Sequence, residues 1–202
     1  MYIPSLITRP EMISIVTSLL TSLKLSVNKN YTPPYDGRIS SVATTTRADD
    51  KFLDNPTVFG EILRKTIPSH TYSESSTLYA FRDRTPRANL HALIIPKRWI
   101  ETIRELIPSD LDLVTSMKEM ALDVIRKEQP DAFKANDYEL VFHVPPFNSV
   151  DHLHLHVLAP ASEMSVWMRY GKYRVGTPWC VSVDYVLERL ERGDCAMPNT
   201  LC

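Results

Sequence analysis

The sequence has few cysteines and no excess of charge. Three of its 202 residues are cysteine, Cys180, Cys195 and Cys202, and no two of them form a CxxC pair. This spacing favours neither a zinc ribbon nor a disulfide framework, so we expect reduced thiols. The formal net charge is −1, which gives no general basic field for nucleic acid. We therefore expect no nucleic-acid partner.

Long apolar runs are also missing. The most apolar N-terminal stretch, MISIVTSLL, is too short to span a bilayer and is diluted by Ser and Thr. We therefore expect no membrane partner, and the expected reduced thiols indicate an intracellular protein, cytoplasmic or nuclear. Residues 1–50 contain four Lys and Arg before Arg47 and two acids before Asp49. This composition leaves organellar targeting by the N-terminal segment open.

Composition divides the chain into an extension, one domain and a tail. Residues 26–50 are rich in Ser, Thr, Asn and Pro and show no apolar period. Before them, apolar residues from Met12 to Leu23 follow helical spacing and predict a short amphipathic helix. We predict a partly flexible extension over 1–50, a compact domain over 55–192 and a short tail over 193–202.

The apolar pattern of the domain changes between helical and strand spacing. VFGEILRKTIP predicts a helix that ends at Pro68, and a longer helix runs from a capping-box-like start at Ser109 to a stop at Pro130. TLYAFRD with LHALIIP, and YELVFHV with VDHLHLHVL, predict two hairpins. A last helix is predicted over 184–192. This order indicates an α+β domain with an antiparallel sheet on which a long and a shorter helix pack.

The stretch DHLHLHVLAP carries three histidines at two-residue spacing. In a strand, His152, His154 and His156 line one face, because side chains alternate between the faces. Three imidazoles in register make a costly polar stripe unless they bind one another, a ligand or a metal. A purely structural role is therefore disfavoured.

Two chemical interpretations remain open from the residues alone. HxH on a strand is a zinc-ligand spacing, and His91 or His143 can supply a further ligand, but Asp151 points to the opposite face. Alternatively, a neutral imidazole can attack phosphorus in phosphoryl or nucleotidyl transfer. Ser149, in the turn before the run, then serves the phosphate or leaving group, or is an ordinary residue at the start of a strand.

HLHLHVL resembles the signature of the histidine-triad (HIT) nucleotide-binding family, HxHxH followed by two apolar residues. FGEILRKTIPS, LYAFRD, HALIIPKRWI and FHVPPFNSVDHLHLHVLAP follow in the order of its Hint branch. The HVPPF turn and the tail YRVGTPWCVSVDYVLERLE are most similar to the third Hint paralogue group. The resemblance implies a HIT-like fold and a nucleotide hydrolase that forms homodimers.

The resemblance also implies roles for individual residues. His154 would be the nucleophile that forms a nucleotidyl-histidine intermediate, which water then hydrolyses. His152 and His156 would orient it and contact the phosphate, His91 would support them, and Ser149 would lie near the leaving group. The implied nucleotide-binding residues are Asp83 at the ribose hydroxyls, Phe59 and Ile62 around the base, and Arg82, His143 and Asn148.

The sequence departs from the family pattern at several positions. Arg82 and Arg84 flank Asp83, and His143 stands where the family often has an asparagine near the phosphate. Thr57 and Gly60 occupy the positions of a zinc CxxC pair in some relatives, so no metal is expected.

The predicted function is hydrolysis of purine nucleoside 5′-phosphoramidates, releasing AMP without a cofactor. The alternatives are a dinucleoside polyphosphate hydrolase of the same family and a nucleotide-binding adaptor with incidental turnover. DNA-end repair is disfavoured, because Val157 and Leu158 replace the glutamine pattern of the branches that perform it.

Overall fold

The computed structural model describes residues 52, 54–198 and 200. The extension predicted over 1–50, with its helix from Met12 to Leu23, lies outside these residues. The helices are α1 (Val58–Leu63), α2 (Leu111–Glu128), α3 (Pro130–Ala135) and α4 (Val183–Glu191), and the strands are β1 (Thr71–Glu74), β2 (Leu78–Arg82), β3 (Leu90–Pro96), β4 (Glu139–His143), β5 (Leu155–Ala159) and β6 (Cys180–Ser182). No described helix is long and apolar enough to cross a membrane.

The strands form one sheet in the order β1-β2-β3-β5-β4-β6, and every neighbouring pair is antiparallel. The two predicted hairpins, β2–β3 and β4–β5, are joined by pairing of β3 with β5, where Leu93 lies opposite His156. Strands β1 and β6 add one short edge strand at each side. The predicted α+β class with an antiparallel sheet is confirmed.

The two faces of the sheet have different roles. One face packs on α2 and α4 and forms the main core, whose members include Ala80, Ile94, Leu155, Met117 and Val186. The alternate side chains of β2 and β3 point to the other face and pack with Phe59, Ile62 and Leu63 of α1. Because α2 covers only the first face, the second is left for α1 and the histidines.

The ends of the long helix differ from the prediction. α2 begins at Leu111 rather than Ser109, and the Asp110 carboxylate accepts from the Ile107 backbone N–H at 3.1 Å, which closes a 3₁₀ turn before the helix. The helix ends at Glu128, and Pro130 starts α3 instead of only stopping α2. Proline suits a first helical position because its missing N–H has no partner there anyway.

The cysteines also differ from the prediction. Cys180 is a free, buried thiol on β6, and burial raises its pKa to about 12. Cys195 is disulfide-bonded, so the expectation of reduced thiols is wrong for this residue. Disulfide pairing depends on distance in the fold, which sequence spacing does not give.

Candidate active site

The histidine run is only partly a strand. β5 begins at Leu155, so His152 and His154 precede it. The backbone N–H of Leu153 donates to the Ile100 carbonyl at 2.7 Å, so this part of the run pairs with a loop. The prediction of one strand over all three histidines is therefore wrong. The alternation still holds, because Leu153 and Leu155 enter the core under α2 while the imidazoles lie on the opposite side.

His152 is held at both ring nitrogens. Its Nδ1 accepts from the Asn55 side-chain amide at 2.8 Å, and its Nε2 donates to the Pro96 carbonyl at 2.9 Å. The amide oxygen of Asn55 accepts from the backbone N–H of Thr57 at 3.1 Å and from its hydroxyl at 2.8 Å. Thr57 in turn caps α1. The neutral tautomer of His152 is thus fixed by Asn55, a buried residue that no sequence motif indicated.

One ring nitrogen of His154 makes a hydrogen bond, and the other has a free lone pair. Its Nδ1–H donates to the His152 carbonyl at 2.6 Å, which leaves a lone pair on Nε2. Every buried side-chain nitrogen and oxygen in the described part of the chain has a partner. Nε2 makes no hydrogen bond to a described residue, so it is reachable by solvent although the residue is only 6% exposed. The Phe59 ring packs edge-on against the imidazole at 5.4 Å.

His156 is the centre of a chain of three imidazoles from three strands. The Arg87 backbone N–H donates to His91 Nδ1 at 3.2 Å. His91 Nε2 and His156 Nδ1 are 3.0 Å apart, as are His156 Nε2 and His143 Nδ1. His143 Nε2 lies 3.3 Å from the Lys172 carbonyl. A backbone N–H can only donate and a carbonyl can only accept. In all three imidazoles we therefore place the hydrogen on Nε2, and Nδ1 accepts.

Burial keeps these histidines neutral. It lowers the pKa of His91, His143 and His152 to about 4 in each case. Burial also lowers the pKa of His154, against the His152 carbonyl and the Asp83 carboxylate, which raise it. The pKa of His156 falls well below its ordinary value, first through burial and then through its histidine neighbours. All five are therefore unprotonated at neutral pH.

Three of the predicted nucleotide-binding residues lie on the histidine side of the sheet. Asp83 follows β2; its Oδ1 accepts from the Thr85 backbone N–H at 2.7 Å, and its Oδ2 lies 3.6 Å from His91 Nε2. Phe59 and Ile62 come from α1 and pack in the apolar cluster on this face. A carboxylate and an apolar wall are thus presented beside His154.

The remaining predicted residues, Asn148, Ser149 and Arg82, lie in different surroundings. The Asn148 amide donates to Asp151 Oδ1 at 2.9 Å, and Asn148 lines a small cavity together with His143, His152 and His154. Ser149 is exposed and its hydroxyl has no hydrogen-bond partner among the described residues. The Arg82 side chain lies on the face of the sheet that packs against α2, because side chains alternate along β2. The structure therefore brings Asn148 to the histidines but not Arg82.

The residues around Arg82 also place it on the α2 side of the sheet, opposite the histidines. Its positive charge lowers the pKa of Tyr72, which burial raises, and Tyr72 packs against the core under α2. Arg82 also follows Ala80 at two-residue spacing on β2, and Ala80 lies in that core.

One set of side chains has donor atoms close enough for a metal. Oxygen and nitrogen atoms of Asp83, His91 and His156 lie within 4.8 Å of one another. The facing nitrogens of His91 and His156 are, however, joined by their own hydrogen bond at 3.0 Å. A metal would have to displace that bond and break the imidazole chain, so the donor set does not favour one.

Comparisons with known proteins agree with this geometry. A family model described as "Scavenger mRNA decapping enzyme C-term binding" matches residues 56–171. The chain is 36% identical over 149 residues to "Adenosine 5'-monophosphoramidase HINT3" of Danio rerio, covering 73% of this chain and 90% of that protein. The Mus musculus protein of the same name is 36% identical over 121 residues, covering 60% and 72%.

The solved structures that match include a HIT family hydrolase from Legionella pneumophila. It is 34% identical, with a TM-score of 0.47, and the match covers 50% of this chain and 89% of that one. Three alternate histidines, two just before β5 and one on it, lie on one side of an antiparallel sheet, and the middle one has Nε2 unprotonated. This chain belongs to the histidine-triad family. The resemblance to the third Hint paralogue group is confirmed.

Proposed function

We propose that this protein is an adenosine 5′-monophosphoramidase that cleaves purine nucleoside 5′-phosphoramidates by covalent catalysis. The observation that carries the proposal is the tautomer of His154, whose Nδ1–H is held by a backbone carbonyl while Nε2 stays free. Support comes from the two HINT3 relatives, which are named adenosine 5′-monophosphoramidases.

In the first step, His154 Nε2 attacks the α-phosphorus. A P–N bond to the imidazole forms, the P–N bond to the leaving amine breaks, and the amine takes up a proton from solvent water as it departs. The ring gains positive charge in this step, and the His152 carbonyl that accepts from Nδ1 stabilises it. Water then attacks the phosphorus, the bond to Nε2 breaks, and AMP is released.

The other residues bind and orient. In this proposal the Asp83 carboxylate accepts from the ribose hydroxyls, Phe59 and Ile62 contact the base, and Ser149 serves the leaving group. Both ring nitrogens of His152 and His156 are already used within the protein. We therefore assign these two histidines to holding the site rather than to contacting the phosphate.

Single-turnover mixing tests the proposal. EDTA-treated protein is mixed with an adenosine 5′-phosphoramidate that carries a fluorogenic amine, and the quenched protein is analysed by mass spectrometry. We expect rapid amine release and a transient nucleotidyl adduct on His154 in the wild type and neither in His154→Ala or His154→Gly. His70→Ala is the matched control, because His70 is exposed and outside the cluster.

Three other results would each contradict the proposal. Nucleotide binding without amine release would indicate the adaptor. Activity restored only by added zinc would indicate a metal site. Faster cleavage of a dinucleoside polyphosphate than of the phosphoramidate would indicate the second hydrolase class.

The assembly and domain limits are proposals of the same kind. We infer from the resemblance that the domain spans residues 55–192 and forms a homodimer, and that the protein is intracellular. Sedimentation of the full chain measures the oligomeric state, and a monomer at micromolar concentration would contradict the proposed homodimer.

A further inference from the structure

The site described so far supplies little positive charge to a phosphate. The buried histidines are neutral, and both ring nitrogens of His152 and His156 are committed to other groups. The Asp83 carboxylate adds a negative charge near His154. A bound nucleotide brings at least one more, which a cation from elsewhere in the protein would offset.

Lys172 is fixed beside the histidines at both its backbone and its side chain. It ends a π-helical turn, Met168–Lys172, and its carbonyl accepts from His143 Nε2 at 3.3 Å. Its Nζ lies 5.5 Å from the centroid of the Tyr173 ring. That buried ring lies 5.1 Å from the ring of His143 and 5.4 Å from that of His156, centroid to centroid. The ammonium is therefore held close to the imidazole chain.

Apart from the Tyr173 ring, the Lys172 ammonium has no hydrogen-bond or ion-pair partner in the described part of the chain. Among the described residues, no carboxylate lies within 4.0 Å of Nζ, and Nζ makes no hydrogen bond to any of them. By contrast, Lys97 pairs with Glu74 and Lys118 with Asp184, each at 2.6 Å. Lys172 is exposed, so a ligand can reach it.

The charge of Lys172 acts on the nucleophile and its neighbours. It lowers the pKa of His154 and of His156. Partial burial and the charge of Arg87 lower the pKa of Lys172 itself, while Asp83 raises it. An anion bound between His154 and Lys172 would relieve the repulsion between the two cations, Arg87 and Lys172.

We propose that Lys172 is a phosphate-binding residue, whose ammonium contacts a non-bridging oxygen of the nucleotide phosphate while His154 Nε2 faces the phosphorus. This assignment rests on the proposed function for the identity of the ligand. No sequence motif indicated Lys172, because it lies 18 residues beyond His154 in a turn without an apolar period.

Calorimetric titration of the full chain with AMP and with adenosine tests this role, since the two ligands differ only in the phosphate. We expect Lys172→Met to weaken AMP binding by about 10- to 100-fold, the range for a lost hydrogen bond to a charged group. Adenosine binding should be unchanged, which also shows that the variant is folded. Lys172→Arg should retain most of the AMP affinity.

Arg174→Met is the matched control, because Arg174 is an exposed cation two residues away with no side-chain ion pair among the described residues. It should leave both affinities unchanged. Equal AMP affinity in Lys172→Met and the wild type would overturn the proposal, as would an equal loss of AMP and adenosine binding.

The two proposals fail separately. If the wild type releases no amine but AMP binding still depends on Lys172, the phosphoramidase is wrong and the phosphate contact stands. If Lys172→Met releases amine at the wild-type rate and binds AMP normally, the phosphate contact is wrong and the phosphoramidase stands.

Discussion

Replacement of Gly60 by alanine should disturb the active site through Asn55. A Cβ at position 60 would lie 2.3 Å from the Asn55 carbonyl oxygen and 2.8 Å from its Cγ. To restore van der Waals contact, Asn55 would have to move by about 1 Å. Because Asn55 is held between the cap of α1 and His152, that movement is transmitted to the imidazole.

The expected loss of stability follows from the hydrogen bonds of Asn55. The residue is 1% exposed, and its amide makes one bond to His152 and two to Thr57. Leaving a buried polar group without its partner costs about 1–3 kcal/mol, and two such losses would cost about 2–6 kcal/mol. The helix propensity of alanine offsets only about 0.5–1 kcal/mol of this. We expect Gly60→Ala to lower the free energy of unfolding by about 1–5 kcal/mol.

Urea unfolding and steady-state phosphoramidate hydrolysis measure the two consequences. The matched control is Gly171→Ala, where the added Cβ meets nothing nearer than Trp167 Cδ2 at 3.9 Å. It should change the free energy of unfolding by less than about 1 kcal/mol. If Gly60→Ala unfolds at the same urea concentration as Gly171→Ala and retains full activity, the inferred link from Gly60 through Asn55 to His152 is refuted.

The buried histidines lead to two further predictions. Lowering the pH from 7 to 5 should reduce the free energy of unfolding by about 5 kcal/mol. The pKa of His91, His143 and His152 is about 4 in the folded protein, below the unfolded value of about 6.5. The unfolded chain therefore takes up protons first as the pH falls, which favours unfolding. An equal free energy of unfolding in urea at pH 7 and pH 5 would contradict this. His143→Asn should keep its stability, because an amide can accept from His156 and donate to the Lys172 carbonyl, whereas His143→Ala should lose about 1–3 kcal/mol on thermal unfolding. Equal melting temperatures of the two variants would argue against the hydrogen-bonded imidazole chain.

Much of the fold follows from local alternation of side chains. The hairpins β2–β3 and β4–β5 and the long helix α2 could be predicted because each carries several apolar residues in one period. Strands β1 and β6 were missed, since they have four and three residues and too few apolar positions to show a period. The histidine face was predicted by the same alternation, which also places Arg82 on the opposite face although it adjoins Asp83.

The supporting parts of the site could not be predicted from the sequence. Asn55 lies 97 residues from the histidine it bonds, and Lys172 meets His143 across 29 residues. Contacts of this length are set by the packing of the sheet and loops, which no local pattern encodes. The tautomers are equally hidden, because they depend on which backbone N–H or carbonyl terminates each hydrogen-bond chain.

The three histidines of the run belong to separate hydrogen-bond systems. Among the described residues, the His152 ring bonds to Asn55 and Pro96, the His156 ring to the other two imidazoles of its chain, and the His154 ring only to the backbone carbonyl of His152. A proton taken up by the His156 chain therefore has no hydrogen-bonded route to the nucleophile. At His154 itself, Asp83 raises the pKa and Lys172 lowers it, while burial is the largest influence. Burial rather than a charged neighbour thus keeps Nε2 unprotonated, and we propose that the two opposed charges bind the ribose and the phosphate.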